Sequence, residues 1–449
     1  MIPLSTIRDS FEGVIPSLIA TTDSDGMPNI TSLSHVYYVD ERHVALSNQY
    51  FSKTSANVAA NGLATVMVVD GYNGNQHILD LVFESSRSDG DVFDRVCAHL
   101  DVMSAEQGMD TIMKLRAVDI YRVEDCRLVM AANPLERVPE KSASAVRDHL
   151  QWTEILTARL TAETDIEQML DRALEGLAAL FGYSHAMVLL PDTERMQLTT
   201  IASHGYDRYG IGSEIPFGQG TIGKAAATRL PVRISDMSRG RRYVQAVKAM
   251  SGMDEAIALP VISSPVSQLA VPMIAQRRLM GVLFVESDTA FAFRHKDEEA
   301  LLVIARQLAL ALMLADPGRD RGERPPAPTA PPAAAPTTDA GGVKIRYYRR
   351  DGSVFVDGDY LIRGVPGRLL KHCLDAYLAT GQRDFTNREI RRDPGLLLPD
   401  FKDNLETRLI LLRRRLEEKG GPIRLVRADR GRLRLDIDGV PHLTVIDGD

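Results

Sequence analysis

Cysteine is scarce. Three residues in 449, Cys97, Cys126 and Cys373, are too few and too scattered for a disulfide framework or a thiolate zinc site. That scarcity predicts a reducing, cytoplasmic setting. No stretch approaches the roughly 18 uninterrupted apolar residues of a membrane-spanning helix, so no membrane partner is expected. The opening run MIPLSTIRDSFEG lacks a basic segment followed by an apolar core, which predicts no secretory signal. No Ser/His/Asp, Cys/His or paired-carboxylate constellation stands out, and hydrolase chemistry has no support. His35, His43, His77 and His99 lack metal-ligand spacing and read as strand or packing residues, so no metal site is predicted.

What is present is ordinary for a soluble globular chain: 44% hydrophobic and 25% charged residues. The length predicts two to four domains. The net charge of −7 is unevenly spread, because residues 343–449 carry 22 Lys and Arg against 17 Asp and Glu. A basic tail on an acidic body points to an anionic partner for the tail. Residues 316–342 hold seven prolines and no Val, Ile, Leu or aromatic, the composition of a disordered Pro/Ala-rich linker. Extended, that linker reaches about 80 Å, which predicts a C-terminal unit that moves independently. A second break falls near 130–150. The predicted units are 1–135, 145–315 and 343–449.

The first unit reads as about six short strands with two small helices, a pattern for a closed β-barrel. Between a strand and the helix TSANVAAN lies Ser47-Asn48-Gln49-Tyr50-Phe51-Ser52-Lys53-Thr54. A helix start offers free N–H groups and a positive dipole end. With the hydroxyls of Ser52 and Thr54 and the charge of Lys53, it suits a phosphate monoester. The alternative is a helix cap beside a solvated lysine. The order IPSLIATTDSDGMPNITSLSHVYYVDERHVALSNQYFSKTSANVAANGLATVMV resembles the pyridoxamine 5′-phosphate oxidase-like, FMN-binding split-barrel family over about 1–130. The resemblance implies a homodimer sharing two flavin sites. It places Ser52, Lys53 and Thr54 at the FMN phosphate, and Ser47, Asn48 and Gln49 near the ribityl chain or ring. Some members of that family hold heme or a deazaflavin instead, or nothing. The arginine-rich features of true pyridoxamine phosphate oxidases are not evident.

In the middle unit a long amphipathic helix is expected over 150–181. Strands AMVLLP and QLTTIAS follow, then a hairpin turning at Gln276-Arg277-Arg278 and a last helix KDEEALLVIARQLALAL. The runs GTIGKAAATRLPVRISD, AVPM with LMGVLFVES, and DEEALLVIARQLALAL resemble a GAF domain over about 150–314. The resemblance implies an α/β/α sensory or dimerising module. No cysteine lies in 127–372, which excludes a thioether-linked bilin or a cysteine-held cluster there. Gly218, Gly220 and Gly223 have dinucleotide-fingerprint spacing outside a βαβ context, so they are expected to shape a loop.

The last unit reads as a leading hairpin, a helix closed by glycine, a helix with Thr386 and Glu389 in capping-box spacing, a third helix and a second hairpin. In the third helix Leu405, Leu409, Leu412 and Leu416 form one core stripe. Arg408 and Arg415 then fall on its flank, and Arg414 points away. Arg432 and Arg434 share one face of the final hairpin, next to Arg430. The runs FTNREI, DNLETRLILLRRRLE and IRLVRADRGRLRL resemble the winged helix-turn-helix output domains of bacterial transcription regulators over about 343–437. The resemblance implies duplex DNA binding through Arg408, Arg414, Arg415, Arg430, Arg432 and Arg434. The alternative is a solvated basic face on a protein-interaction wing.

The expected architecture is thus multidomain α+β: a split barrel, a GAF sensor fold and a winged helix on a linker. The expected function is a cytoplasmic sensory regulator. Its rivals are an FMN-dependent oxidoreductase with accessory domains and a non-enzymatic scaffold.

Overall fold

The computed structural model describes residues 1–11, 15–48, 52–71, 73–106, 114–129, 148–193, 195–237, 259–314, 342–392, 396, 405–429 and 432–447. The linker at 316–341, the 130–147 break, Gln49 and Arg430 lie outside them.

The first unit contains β1 (Ser17–Thr22), β2 (Pro28–Leu33), β3 (Val36–Tyr38), β4 (His43–Asn48), α1 (Ser52–Asn61), β5 (Leu63–Val69), β6 (Gln76–Arg87), α2 (Asp91–Glu106) and β7 (Ala117–Val129). They form one seven-stranded sheet in the order β2-β1-β5-β6-β7-β4-β3. Only Ser34 and His35 separate β2 from β3, yet these are the two outer strands. Three peptide steps reach about 11 Å at most. The edges of a flat seven-stranded sheet would stand about 28 Å apart. The sheet therefore curls, as a half barrel. No pairing joins β2 to β3 among the described residues, so the expected closed barrel is an open, curled one. Alternation puts Val66, Val68, Leu79 and Leu81 inside, where they meet Leu4, Ile7 and Phe11 of an N-terminal 3-10 segment.

The middle unit contains α3 (His149–Thr161), α4 (Ile166–Gly176), β8 (His185–Asp192), β9 (Gln197–His204), β10 (Glu214–Pro216), α5 (Gly220–Thr228), β11 (Val232–Ile234), β12 (Ser267–Ala275), β13 (Arg278–Ser287) and α6 (His295–Leu314). The single helix expected over 150–181 is broken. Asp165 caps a new helix by accepting from Glu167 N at 2.8 Å and Gln168 N at 3.3 Å, and α4 runs into a π turn at Leu177–Phe181. The β12–β13 hairpin turns through Gln276 and Arg277, both left-handed at φ 47° and 63°. The sheet order is β10-β9-β8-β13-β12-β11. Strand parity splits its side chains between two cores. Ala186, Val188, Leu269, Val271, Leu283 and Val285 pack under α3, α4 and α6. Met187, Leu189, Ala270, Val282 and Phe284 face α5.

The last unit contains β14 (Gly342–Tyr348), β15 (Ser353–Val356), β16 (Asp359–Ile362), α7 (Val365–Thr380), β17 (Asp384–Thr386), α8 (Asn387–Arg392), α9 (Leu405–Lys419), β18 (Ile423–Asp429), β19 (Arg432–Ile437) and β20 (Val440–Ile446). The leading hairpin is three strands, because the chain turns at Asp351-Gly352 and again at Asp357-Gly358. Past the run that carried the winged-helix resemblance, β20 returns to pair in parallel with β14. The capping box is present, with Glu389 N donating to Thr386 Oγ1 at 3.2 Å and Thr386 N to Glu389 Oε2 at 3.0 Å.

Both outer units are docked on the middle one. Ala98 and Val102 of α2 join the core formed by Ile222, Ala225 and Ala226 of α5, and Lys224 pairs with Asp101. The buried residues of the last unit are continuous with the α3/α4/α6 core. The independent motion expected of the C-terminal unit is thus replaced by packing: Arg414 reaches Glu167 and Asp171, Arg427 pairs with Asp165, and Arg363 with Glu214.

Candidate functional site

The helix start of the first unit keeps part of its expected chemistry. The α1 helix opens with no acidic residue in its first turn. Lys53 is exposed, and Thr54 is buried with its hydroxyl accepting from Asn29 Nδ2 at 3.0 Å. Asn57, one turn on, donates to Thr21 Oγ1 at 3.0 Å, which ties the helix to β1. Lys53 and the free N–H groups of the first turn make a donor-only set, suited to a phosphate. Two of the other predicted residues, Ser47 and Asn48, are committed elsewhere. Ser47 is buried, its hydroxyl accepting from His35 N at 3.1 Å. Asn48 donates to Asp119 Oδ2 at 3.0 Å, and burial raises the Asp119 carboxyl above its ordinary value despite that bond. The structure therefore leaves Lys53 exposed at the start of α1 and engages the side chains of Ser47, Asn48 and Thr54 within the sheet and its edge.

In the middle unit a polar cluster sits on the sheet face toward α5. Glu286, 1% exposed, accepts from Ile262 N at 3.1 Å and from Gln268 Nε2 at 3.3 Å. Gln268 in turn accepts from Thr221 Oγ1 at 2.7 Å, in the first turn of α5. Burial raises the Glu286 carboxyl, and those hydrogen bonds offset only part of the effect. Burial and the nearby carboxylate push the Tyr206 phenol up as well. The glycines preceding α5 shape its start, as expected. Gly218 is left-handed at φ +84°, and a Cβ at Gly223 would lie 2.3 Å from the Pro216 carbonyl.

The C-terminal arginines are not arrayed on one open face. Arg408 and Arg415 are buried, and Arg415 donates to Leu361 O at 2.9 Å and Glu418 Oε2 at 2.8 Å. Arg414 donates to Glu167, Asp171 and the Ile201 carbonyl. The reason is that α9 has a second apolar face. Ile410 and Leu411 are buried as deeply as the leucine stripe, so the flank expected in solvent faces protein. Arg432 and Arg434 are exposed on alternate positions of β19, as expected.

Residues 165–312 match the family model described as GAF domain. The middle unit is a GAF domain. Among solved structures, the GAF domain of an Acinetobacter phosphoenolpyruvate-protein phosphotransferase is 19% identical, with 38% of this chain and 97% of that chain covered at a TM-score of 0.32. A free methionine-R-sulfoxide reductase from Neisseria meningitidis, solved with its substrate, is 23% identical, with coverage of 36% and 87% and a TM-score of 0.30. An FMN-binding protein from Syntrophomonas wolfei is 15% identical, with coverage of 29% and 90% and a TM-score of 0.24. No curated protein matches the chain. Among the described residues no helix is long and apolar enough to cross a membrane, and no cluster of three His, Cys, Asp or Glu is placed to hold a metal ion.

Glu286 escaped the sequence reading, although its signal is there. In the strand VLFVES it shares parity with Val282 and Phe284, so the GAF sheet must turn it inward. Its raised value means that the fold favours the neutral carboxyl. Stability is full below the ordinary carboxylate value of 4.5 and falls as pH rises toward and through the raised one. Glu286→Gln keeps the shape and removes the charge. The decline of the urea midpoint across weakly acidic pH should then flatten, and a profile identical to wild type contradicts the assignment.

Proposed function

We propose that this chain is a sensory regulator. In this reading its curled N-terminal sheet holds FMN, its GAF domain relays the state of that unit, and its C-terminal unit is the output. The observation that carries the reading is the latch between sensor and output. Glu167, in the first turn of α4, pairs with both Arg413 and Arg414 of α9, and all three side chains are largely buried. Buried charge that pins one unit to another is a contact that loss of a single partner would break.

The helix start at Ser52–Thr54 supports a phosphate-bearing flavin. Lys53 and the first-turn N–H groups would take the phosphate, with the Ser52 and Thr54 side chains at its edge. Bound flavin would give the sensor a redox-responsive centre. The remaining contacts to the ring come from residues other than Ser47 and Asn48, whose side chains are engaged. Lys53→Ala is expected to weaken FMN about tenfold and leave riboflavin, which has no phosphate, unchanged. Equal weakening of both in a fluorescence titration contradicts the assignment.

A homodimer through the first unit fits an exposed apolar strip. Leu18 and Ile30 are 38% and 68% exposed on β1 and β2, and Leu63 is 54% exposed on the same outer face. Ile30→Glu should turn a sedimenting dimer into a monomer. A wild type that sediments as a monomer removes the proposal.

For the output we propose duplex DNA, bound by the released unit. Docked, it offers Arg432 and Arg434 but withholds Arg408, Arg414 and Arg415. Glu167→Lys should open the latch, because two guanidinium groups then face an added cation in a partly buried site. The expected results are faster proteolysis within 315–341 and stronger, salt-dependent retention of random duplex DNA by the full chain. Release without any gain in DNA retention moves the unit to a protein-binding role.

A further inference from the structure

Residues 205–213 link β9 to β10 and pass from one face of the GAF sheet to the other. Tyr206, near the start, packs in the α5-side core with Phe284. Ile211 is buried in the core shared with the C-terminal unit. The far end of the segment is clamped on β9. Thr200 N donates to Ser213 O at 2.9 Å, Gly212 N donates to Thr200 O at 2.9 Å, and the Thr200 and Ser213 hydroxyls bond at 2.8 Å. Ser203 Oγ donates to Tyr209 O at 2.6 Å. The segment is a strap with little slack.

Two contacts of Gly210 make the strap consequential. On one side Gly210 N donates to Glu418 Oε1 of α9 at 2.9 Å. Glu418 Oε2 accepts from Arg415 Nη1 at 2.8 Å, and the buried Arg415 reaches on to the Leu361 carbonyl at 2.9 Å. Glu418 thus ties the strap to the interior of the C-terminal unit. On the other side Gly210 lies against Pro260. It is left-handed at φ +60°, and a Cβ there would stand 2.4 Å from Pro260 Cδ, so the proline ring rests on the backbone itself. Pro260 precedes Ile262 by two residues, and Ile262 N donates to the buried Glu286 carboxyl at 3.1 Å. Proline fixes its own φ, which leaves few soft torsions between Ile262 and the ring on Gly210.

Each step from Glu286 through Ile262, Pro260, Gly210 and Glu418 to Arg415 is a hydrogen bond, a covalent link or a close contact. All six residues are buried or half-buried. Close-packed groups of this kind pass a displacement on rather than absorb it. The end of the chain lies one helical turn beyond Arg414, on the same helix that Glu167 holds.

We infer that the hydrogen bond from Ile262 to Glu286 sets the position of Gly210 and, through it, holds Glu418 and the end of α9 against the GAF domain. The Glu286 cluster is then a second point of control over the C-terminal unit, separate from the Glu167 latch. Losing that one bond loosens α9 although no residue of the seam is altered. The inference rests on the docked C-terminal unit of the proposed function, and on neither flavin nor DNA.

The test is hydrogen exchange of the full chain, read by mass spectrometry over 405–419. Glu286→Ala removes the acceptor for Ile262 N and should speed exchange there about fivefold or more. Glu286→Gln keeps an acceptor oxygen and should stay near wild type. Val232→Ala thins the same core from β11, at the opposite edge of the sheet from the strap, and should change exchange by less than about twofold. Glu418→Ala should speed exchange by itself, and Glu286→Ala added to it should speed it no further. If Glu286→Ala does not fold, Pro260→Ala, which removes the ring from Gly210, decides in its place. No effect of the deciding variant, an equal effect of Glu286→Gln or Val232→Ala, or additive effects in the double variant each overturns the inference and leaves the docking intact. Unchanged exchange in Glu418→Ala overturns the docked contact as well.

Discussion

One carboxylate in the first turn of α4 fixes how the C-terminal unit sits on the GAF domain. Glu167 takes Arg413 and Arg414, two consecutive residues of α9, and Asp165 beside it takes Arg427 from the final hairpin. Asp165 and Glu167 sit where the α4 dipole is positive, so the helix already favours their charge before the arginines arrive. Breaking such a cluster leaves partly buried charge without a partner, which is far more costly than losing an exposed ion pair. The contact thus holds the C-terminal unit in one orientation, beside the apolar core it shares with α3, α4 and α6.

The GAF sheet makes this contact consequential. Its odd and even positions serve different cores, one shared with the C-terminal unit and the other with α2 of the first unit. A shift of the strands is felt on both faces, because a close-packed core transmits displacement rather than absorbing it. The seam with the first unit is more polar: Arg8, Arg95 and Lys224 meet partners of opposite charge across it, and Asp9 bonds the His295 ring at 2.8 Å. A more polar seam and a buried latch thus lie on opposite faces of one sheet.

Much of this was legible in the residues. Period-two alternation marked most of the strands, and Thr386 with Glu389 marked the start of α8. The sequence also held signs that a leucine-stripe reading passes over. Asp165 interrupts the expected long helix at a capping position. Ile410 and Leu411 give α9 a second buried apolar face. Other features are not local at all. Glu167 and Arg414 lie 247 residues apart, and β20 pairs with a strand about a hundred residues earlier, so neither has a short-range signal. The two-residue step from β2 to β3 encodes the curl of the first sheet, but only once the strand order is known.

The docked C-terminal unit is the central claim, and a distance measured in solution tests it most directly. Val303 on α6 and Leu378 on α7 are 46% and 47% exposed, so cysteine and then a spin label can replace each with little disturbance. Of the native cysteines, Cys126 and Cys373 are buried, and Cys97→Ser removes the accessible one. Double electron–electron resonance on the full chain should give one narrow distance distribution. A unit swinging on its 316–342 tether would instead spread over tens of ångströms, since a flexible chain of that length has an end-to-end distance of about 30 Å. That broad distribution would contradict the latch.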